Sequence, residues 1–175
     1  MSIGSRLPKS DGAAKADGSG LYADDIALPR MLHAKILRSP HAHARIRAID
    51  VSEAEKVPGV IATLLGAELP VKYGVIPWTQ DENALAVEKV RFVGDEVACV
   101  AALDERTAEE ALRLIRVDYE VLPALLTPED ALAHPEIKVN ERAKVGNVTK
   151  HVHLQFGEVD AAVSAAAAVV KEIAP

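Results

Sequence analysis

Two histidine pairs, His41-Ala42-His43 and His151-Val152-His153, are the first places to look for metal chemistry. Residues i and i+2 of a strand project to the same side, so each pair offers two imidazoles to one ion. A metal site needs at least one more fixed donor, and the sequence offers no obvious third, so backbone-bonding or interface histidines are the simpler reading. The paired carboxylates of Gly94-Asp95-Glu96 suit an acid/base pair or a metal clamp; on a tight turn they read more simply as a solvated or interface turn. Cys99 lies in the apolar run Val97 to Ala102, where a thiol is buried and inert unless a neighbour stabilises the thiolate. Gly18-Ser19-Gly20-Leu21-Tyr22-Ala23 matches the G-x-G-x-x-A dinucleotide fingerprint, but no strand precedes it and Asp24-Asp25 would oppose a pyrophosphate, so a flexible turn is expected. Asn147-Val148-Thr149 has the pattern of a glycosylation sequon and matters only in a secreted protein.

The elements that would position these groups follow from periodicity. Residues 1–20 are polar and read as an extended lead-in. Strands are expected from Met31 until Ser39-Pro40 breaks the pattern, over Arg45 to Val51, over Val60 to Leu65 with a close at Gly66, and over Arg116 to Val121. Val90 to Val93 and Val97 to Leu103 read as strand, sharp turn, strand. Ser52-Glu53-Ala54-Glu55 has the form of a capping box opening a short helix that Pro58-Gly59 stops. Asp104 is a suitable N-cap for a helix over Glu105 to Ile115, whose Ala108, Ala111, Leu112 and Ile115 form an apolar stripe. Strand 97–103, that helix and strand 116–121 then read as a β-α-β unit. Thr127-Pro128-Glu129-Asp130 opens another short helix, a polar connection runs from His134 to Lys150, and Gly157 to Val170 is helix-like. Leu69 to Asn83 reads as a long loop, functional or docked on a neighbour. The abrupt apolar finish at Ala174-Pro175 suggests a strand cut near its start, and so a piece of a longer chain.

Composition narrows the function classes. The chain has 175 residues and a formal net charge of -6 with scattered basic residues, which argues against nucleic-acid binding. Its longest uncharged apolar stretch, Ala161 to Val170, falls short of the roughly 20 residues a membrane span needs. The start MSIGSRLPKSDG has no apolar signal region, and the single cysteine suits a reducing cytoplasm. Aromatic content of 3% gives few stacking platforms for bases or sugars.

Several segments, in order, resemble the start of the molybdenum-binding large subunit of the xanthine dehydrogenase and aldehyde oxidase family. They are Arg6-Leu7-Pro8-Lys9-Ser10-Asp11-Gly12, Tyr22-Ala23-Asp24-Asp25-Ile26, Leu37-Arg38-Ser39-Pro40-His41-Ala42-His43-Ala44-Arg45-Ile46 and Pro58-Gly59-Val60. Arg91-Phe92-Val93-Gly94-Asp95-Glu96-Val97-Ala98, Thr107-Ala108-Glu109-Glu110-Ala111, Val117-Asp118-Tyr119-Glu120-Val121-Leu122-Pro123 and Gly157-Glu158-Val159-Asp160-Ala161-Ala162 continue the series. Glu96 departs from it, since the family more often has Pro after the acidic residue. Within the family, Lys72 to Glu82, Ala143 to Asn147 and His151 to Gly157 resemble the 4-hydroxybenzoyl-CoA reductase branch, in its alpha subunit.

The resemblance implies an α+β fold, the α/β hammerhead domain, with a mixed sheet and packed helices over residues 21–133. Residues 134–175 would connect to the start of the molybdenum-cofactor domain. The implied enzyme is a molybdenum-dependent oxidoreductase carrying molybdopterin cytosine dinucleotide, with iron-sulfur clusters and FAD on partner subunits and a ferredoxin-like electron donor. The family's catalytic glutamate and metal environment belong to later domains, so no residue here is expected to be catalytic, cofactor-binding or metal-binding. The fragment alone is expected to be inactive, without bound cofactor. Its role would be packing on the remaining domains and the iron-sulfur subunit, through the 70–83 loop and the 94–96 turn; the alternatives are a hydroxylase subunit for aldehydes or purines, a carbon monoxide dehydrogenase subunit, or a free-standing hammerhead module that only binds.

Overall fold

The computed structural model describes residues 4, 9–69, 71–76 and 80–170. Arg6-Leu7-Pro8, Pro70, the Pro77-Trp78-Thr79 part of the long loop and the expected terminal strand at Lys171-Glu172-Ile173 lie outside the described residues. Two compact units are present, Met1–Val71 with Asn83–Val121 and Lys72–Glu82 with Leu122–Pro175.

The first unit opens with helix α1 (Gly12–Asp17), so the polar lead-in is not wholly extended; Gly18, in the left-handed region at φ +78°, ends it. Six strands follow: β1 (His33–Arg38), β2 (Ala44–Asp50), β3 (Val60–Leu65), β4 (Lys89–Val90), β5 (Glu96–Ala102) and β6 (Arg116–Val121). Helix α2 (Glu105–Leu112) lies between the last two. The strands form two three-stranded sheets, ordered β1-β5-β3 and β4-β2-β6, with antiparallel pairing throughout. Odd-numbered strands make one sheet and even-numbered strands the other, so no strand pairs with its neighbour in sequence.

That alternation upholds the α+β hammerhead class and changes its details. The expected mixed sheet resolves into two antiparallel ones, and β5, α2 and β6 are not a β-α-β unit within one sheet. The cause is the composition of β5. Its continuous apolar run suits a central strand with neighbours on both sides, which leaves no edge for β6. The alternation of Arg116, Asp118 and Glu120 with Val117, Tyr119 and Val121 instead suits an edge strand with one wet face beside β2.

Ala98 and Val100 of β5 pack with Ala111 and Ile115, and with Ala54 from the β2–β3 connection. A second cluster joins Val97 to Ala44, Ala86 and Val90, and Ile49 and Val117 border both clusters. Alanines at these contacts let the elements approach closely. Val90, Val97 and Val100 are fully buried, each contributing about 1.5–3 kcal/mol relative to exposure.

Local signals explain the ends of α2. The Asp104 carboxylate accepts from Thr107 N at 2.8 Å and from Thr107 Oγ1 at 2.9 Å. The helix stops before the expected Ile115, because Leu114 N and Ile115 N bond three residues back, to Ala111 O and Leu112 O, tightening the last turn. The Thr107 backbone bond, chief among the causes, holds the Asp104 carboxyl below its ordinary value. Its stabilisation is present at neutral pH and lost as pH falls through the folded value. Asp104→Ala should therefore lower Tm at neutral pH, with the deficit shrinking in acid; a deficit independent of pH in thermal melts contradicts this.

The capping box expected at Ser52 is not formed. Ser52 N donates to Asp50 Oδ1 at 3.0 Å, Glu55 N to Val51 O, and the Glu55 carboxylate accepts from Thr63 Oγ1 at 2.8 Å. Residues 52–56 are turns, since a long-range partner took the carboxylate that the box required.

The second unit contains α3 (Pro128–Ala133), capped by Thr127 Oγ1 on Asp130 N at 3.1 Å, and α4 (Val159–Ala165). Helix α4 is shorter than the helix-like run 157–170, because Ala166 is already extended. The connection after α3 is organised by Asn147. Its Nδ2 donates to Ala131 O and Ile137 O at 3.0 Å and to His134 O at 3.3 Å, and its Oδ1 accepts from Val139 N at 3.1 Å. Tyr73 and Glu82 exchange two backbone bonds of 3.0 Å, pinching the long loop, and Asn140 Nδ2 donates to Asp81 Oδ2 at 2.9 Å.

Candidate functional site

Polar groups gather where the loop after β1 meets the turn before β5. Pro40 ends β1, and Ser39, only 2% exposed, turns the chain. Its Oγ accepts from His41 N and donates to His41 O, both at 3.0 Å. Ser39 N donates to Asp95 O and Gly94 N donates to Ser39 O, both at 2.8 Å, sewing loop to turn. Gly94 sits at φ +94°, a backbone that only glycine adopts readily.

The two turn carboxylates are divided between separate partners. Glu96 Oε1 accepts from Arg38 Nη1 at 2.6 Å, and the same nitrogen donates to Gly94 O at 2.8 Å. Asp95 Oδ2 accepts from Arg91 N at 2.9 Å. The turn is therefore a brace with each acid committed, and no shared proton site of an acid/base pair is built. The sequence signals Ser39-Pro40 as a break and Gly94 as a turn; it does not show that Arg38 lies across from Glu96, because strand register alone brings them together.

Burial, the largest cause, holds the Asp95 carboxyl above its ordinary value, with the Glu96 charge adding to it and the Arg91 bond opposing. Ionised Asp95 thus costs the folded state more than the unfolded one. This contribution favours the fold as pH falls through the carboxylate range and is lost as pH rises through the folded value. Asp95→Asn keeps an acceptor for Arg91 N and should raise Tm at neutral pH, the gain closing as the buffer nears the ordinary aspartate value of about 4. A variant less stable at neutral pH would refute the cost assigned to burial.

Neither histidine pair has a third His, Cys, Asp or Glu donor grouped with it among the described residues. His41 meets the Tyr119 ring edge-on, with centroids 5.0 Å apart, and His43 is buried at 5% exposure. Burial pushes the Tyr119 phenol up, opposed by its hydrogen bond with Ser39. His151 and His153 lie on an exposed segment that is not a strand, so the shared face expected of i and i+2 is not built. Among the described residues, no group of three or more His, Cys, Asp or Glu side chains stands close enough to hold a metal ion. Cys99 is half-buried on β5, and burial pushes its thiol up, away from the reactive thiolate.

The G-x-G-x-x-A segment follows α1 where a nucleotide fold would have a strand. Ser19 N is taken by Asp17 Oδ1 and Tyr22 N by Asp25 Oδ2, both at 2.9 Å, so amides that would face a pyrophosphate face carboxylates. The sequon nitrogen of Asn147 is committed to three carbonyls. Among the described residues, no helix is long and apolar enough to cross a membrane.

Residues 17–123 match the family described as aldehyde oxidase and xanthine dehydrogenase, a/b hammerhead domain. The chain is 46% identical over 118 residues to the carbon monoxide dehydrogenase large chain of Afipia carboxidovorans, covering 66% of this chain and 15% of that protein. It is 36% identical over 172 residues to the nicotinate dehydrogenase large molybdopterin subunit of Eubacterium barkeri, covering 97% of this chain and 39% of that one. The crystal structure of quinoline 2-oxidoreductase from Pseudomonas putida 86 superposes with a TM-score of 0.77 at 35% identity, covering 96% of this chain and 22% of its counterpart. The chain thus spans well under half the length of each of these relatives. With residues 17–123, more than half of the chain, matched, the chain belongs to the aldehyde oxidase and xanthine dehydrogenase family and carries its a/b hammerhead domain over those residues.

Proposed function

We propose that this chain is the N-terminal portion of the molybdenum-containing subunit of an oxidoreductase complex, and that its task there is structural. The observation carrying this reading is the alignment of 97% of the chain with a subunit named for molybdopterin. The bracing of Ser39, Arg38, Asp95 and Glu96 by one another supports it, because these polar groups hold two loops together and present no reacting constellation. Among the described residues, no group of three or more His, Cys, Asp or Glu side chains is placed to hold a metal ion. Residues 21–133 would form the hammerhead, and 134–175 would lead into the cofactor domain.

The finer reading concerns substrate and setting. The segments 72–82, 143–147 and 151–157 favour reductive removal of the phenolic hydroxyl of 4-hydroxybenzoyl-CoA, in anaerobic aromatic degradation. The holoenzyme would be cytoplasmic, with molybdopterin cytosine dinucleotide in this subunit, iron-sulfur clusters and FAD on partners, and a ferredoxin-like donor. A second reading, hydroxylation of an aldehyde or nitrogen heterocycle or oxidation of carbon monoxide, is favoured by the similarity to nicotinate dehydrogenase, quinoline 2-oxidoreductase and carbon monoxide dehydrogenase.

The deciding experiment purifies the full-length gene product with its co-expressed partners, measures molybdenum, and assays it in parallel. Thioester with reduced ferredoxin should give benzoyl-CoA. Turnover of an aldehyde, a heterocycle or carbon monoxide without thioester reduction establishes the second reading, and a metal-free, inactive product overturns both.

A further inference from the structure

Charge in the second unit is divided by element. The charged residues of α3 and α4 are all acids, whereas residues 138–150 carry Lys138, Arg142, Lys144 and Lys150 against a single acid, Glu141, in a chain of formal net charge -6. This basic loop has no helix or strand, yet it is fastened at many points. Lys138 Nζ donates to Ala143 O at 3.0 Å and to Gly146 O at 2.7 Å, so one cation is spent on holding the loop itself. Val148 N donates to Val145 O at 2.9 Å, Ala143 is buried, and a methyl group on Gly146 would lie 2.9 Å from Pro135 Cβ. The four bonds of Asn147 complete the framework. An irregular segment of this length that is tied down so thoroughly has the character of a binding loop more than of a connector.

The fixed backbone turns other cations outward. Arg142 and Lys144 are exposed; the Arg142 guanidinium spends one N–H on a 3.3 Å bond to Gln80 O, and Lys144 has no hydrogen bond or ion pair among the described residues. The Gln80 bond and that from Asn140 Nδ2 to Asp81 Oδ2 join the loop to the 72–82 excursion. Segments 72–82 and 143–147 are both among those that favour a CoA thioester substrate, and the fold makes them one object. We propose that the 138–150 loop is a subsite for the phosphate-bearing nucleotide end of a CoA thioester, with Lys144 and Arg142 as its phosphate contacts. The inference rests on the reading that the substrate is 4-hydroxybenzoyl-CoA. A pocket for the aromatic ring can be uncharged, whereas the 3′-phosphate and pyrophosphate of the CoA tail carry several negative charges that call for cations. A guanidinium fork matches phosphate oxygens and a lysine supplies a point charge. A loop already ordered by Lys138 and Asn147 loses little freedom when the ligand arrives.

The test uses the full-length subunit assembled with its partners and reduced ferredoxin as donor. Two substrates are compared, 4-hydroxybenzoyl-CoA and the 4-hydroxybenzoyl thioester of pantetheine, which lacks every phosphate. Lys144→Glu should raise KM for the CoA thioester about tenfold with kcat unchanged, and should leave both constants for the pantetheine thioester at their wild-type values. Added salt should raise the wild-type KM for the CoA thioester and narrow the gap between the two proteins. Lys56→Glu, a charge reversal at the exposed Lys56–Glu53 pair of the first unit, should have neither effect. An unchanged KM in Lys144→Glu, an equal rise for both thioesters, or an equal rise from Lys56→Glu overturns the subsite and leaves the functional reading standing. A wild-type complex that turns over neither thioester fails that reading, and the subsite with it.

Discussion

Gly66→Ala should destabilise the first unit by about 3 kcal/mol or more, a loss of roughly 10 °C in Tm. Gly66 is buried directly after β3, and a methyl group there would lie 2.4 Å from Leu85 O, 2.8 Å from Ala86 O and 3.0 Å from Leu85 C. All three are backbone atoms, so no rotamer change relieves the contact. The opposing chain is itself fixed, because Leu85 and Ala86 are buried and Ala86 N donates to Glu96 O at 2.6 Å. Moving that chain aside would disturb the start of β5 and, through Glu96, the Arg38 brace. Gly18→Ala is the comparison, since its φ is also unfavourable for alanine but nothing lies within 4 Å of the added atom; its cost should be near 1 kcal/mol. Equal melting temperatures for the two variants would show that the backbone around Leu85 yields more easily than its packing implies.

Asn147→Ala should cost about 2–3 kcal/mol and act on the second unit alone. The substitution leaves Val139 N and the carbonyls of Ala131, His134 and Ile137 without their common partner. Asn147→Asp is the sharper variant, because it keeps an acceptor for Val139 N yet turns a negative oxygen toward the carbonyls that Nδ2 had satisfied. It should be at least as damaging at neutral pH and should recover partly in acid as the carboxyl gains a proton. Native-state hydrogen exchange is the readout. Amides over 131–148 should lose protection while those of β1, β3 and β5 keep theirs, matching the division into two compact units. Uniform loss across both units would show that Asn147 supports more than its own loop.

What was legible in the sequence was local. The alternation of Arg116 to Val121 gave a strand, Asp104 and Thr127 gave real caps, and Ser39-Pro40 ended β1 where expected. The errors arose where a distant residue changed a local choice. Thr63 drew the Glu55 carboxylate away from Ser52, and the central position of β5 sent β6 to the other sheet. The brace was hidden for the same reason, since Arg38 and Glu96 are ordinary surface charges until the register joins them. Asn147 looked like a sequon because three residues define that pattern, whereas its four bonds depend on the path of the chain from Ala131 to Val139.

The odd-and-even distribution of strands bears on how the chain emerges from the ribosome. β1 and β3 both pair with β5, and β2 waits for β4 and β6, so neither sheet can close on a nascent chain that stops short of residue 96. Both sheets are closed by strands far along the chain, β5 and β6, and such non-local pairing slows folding until Val121 has been made.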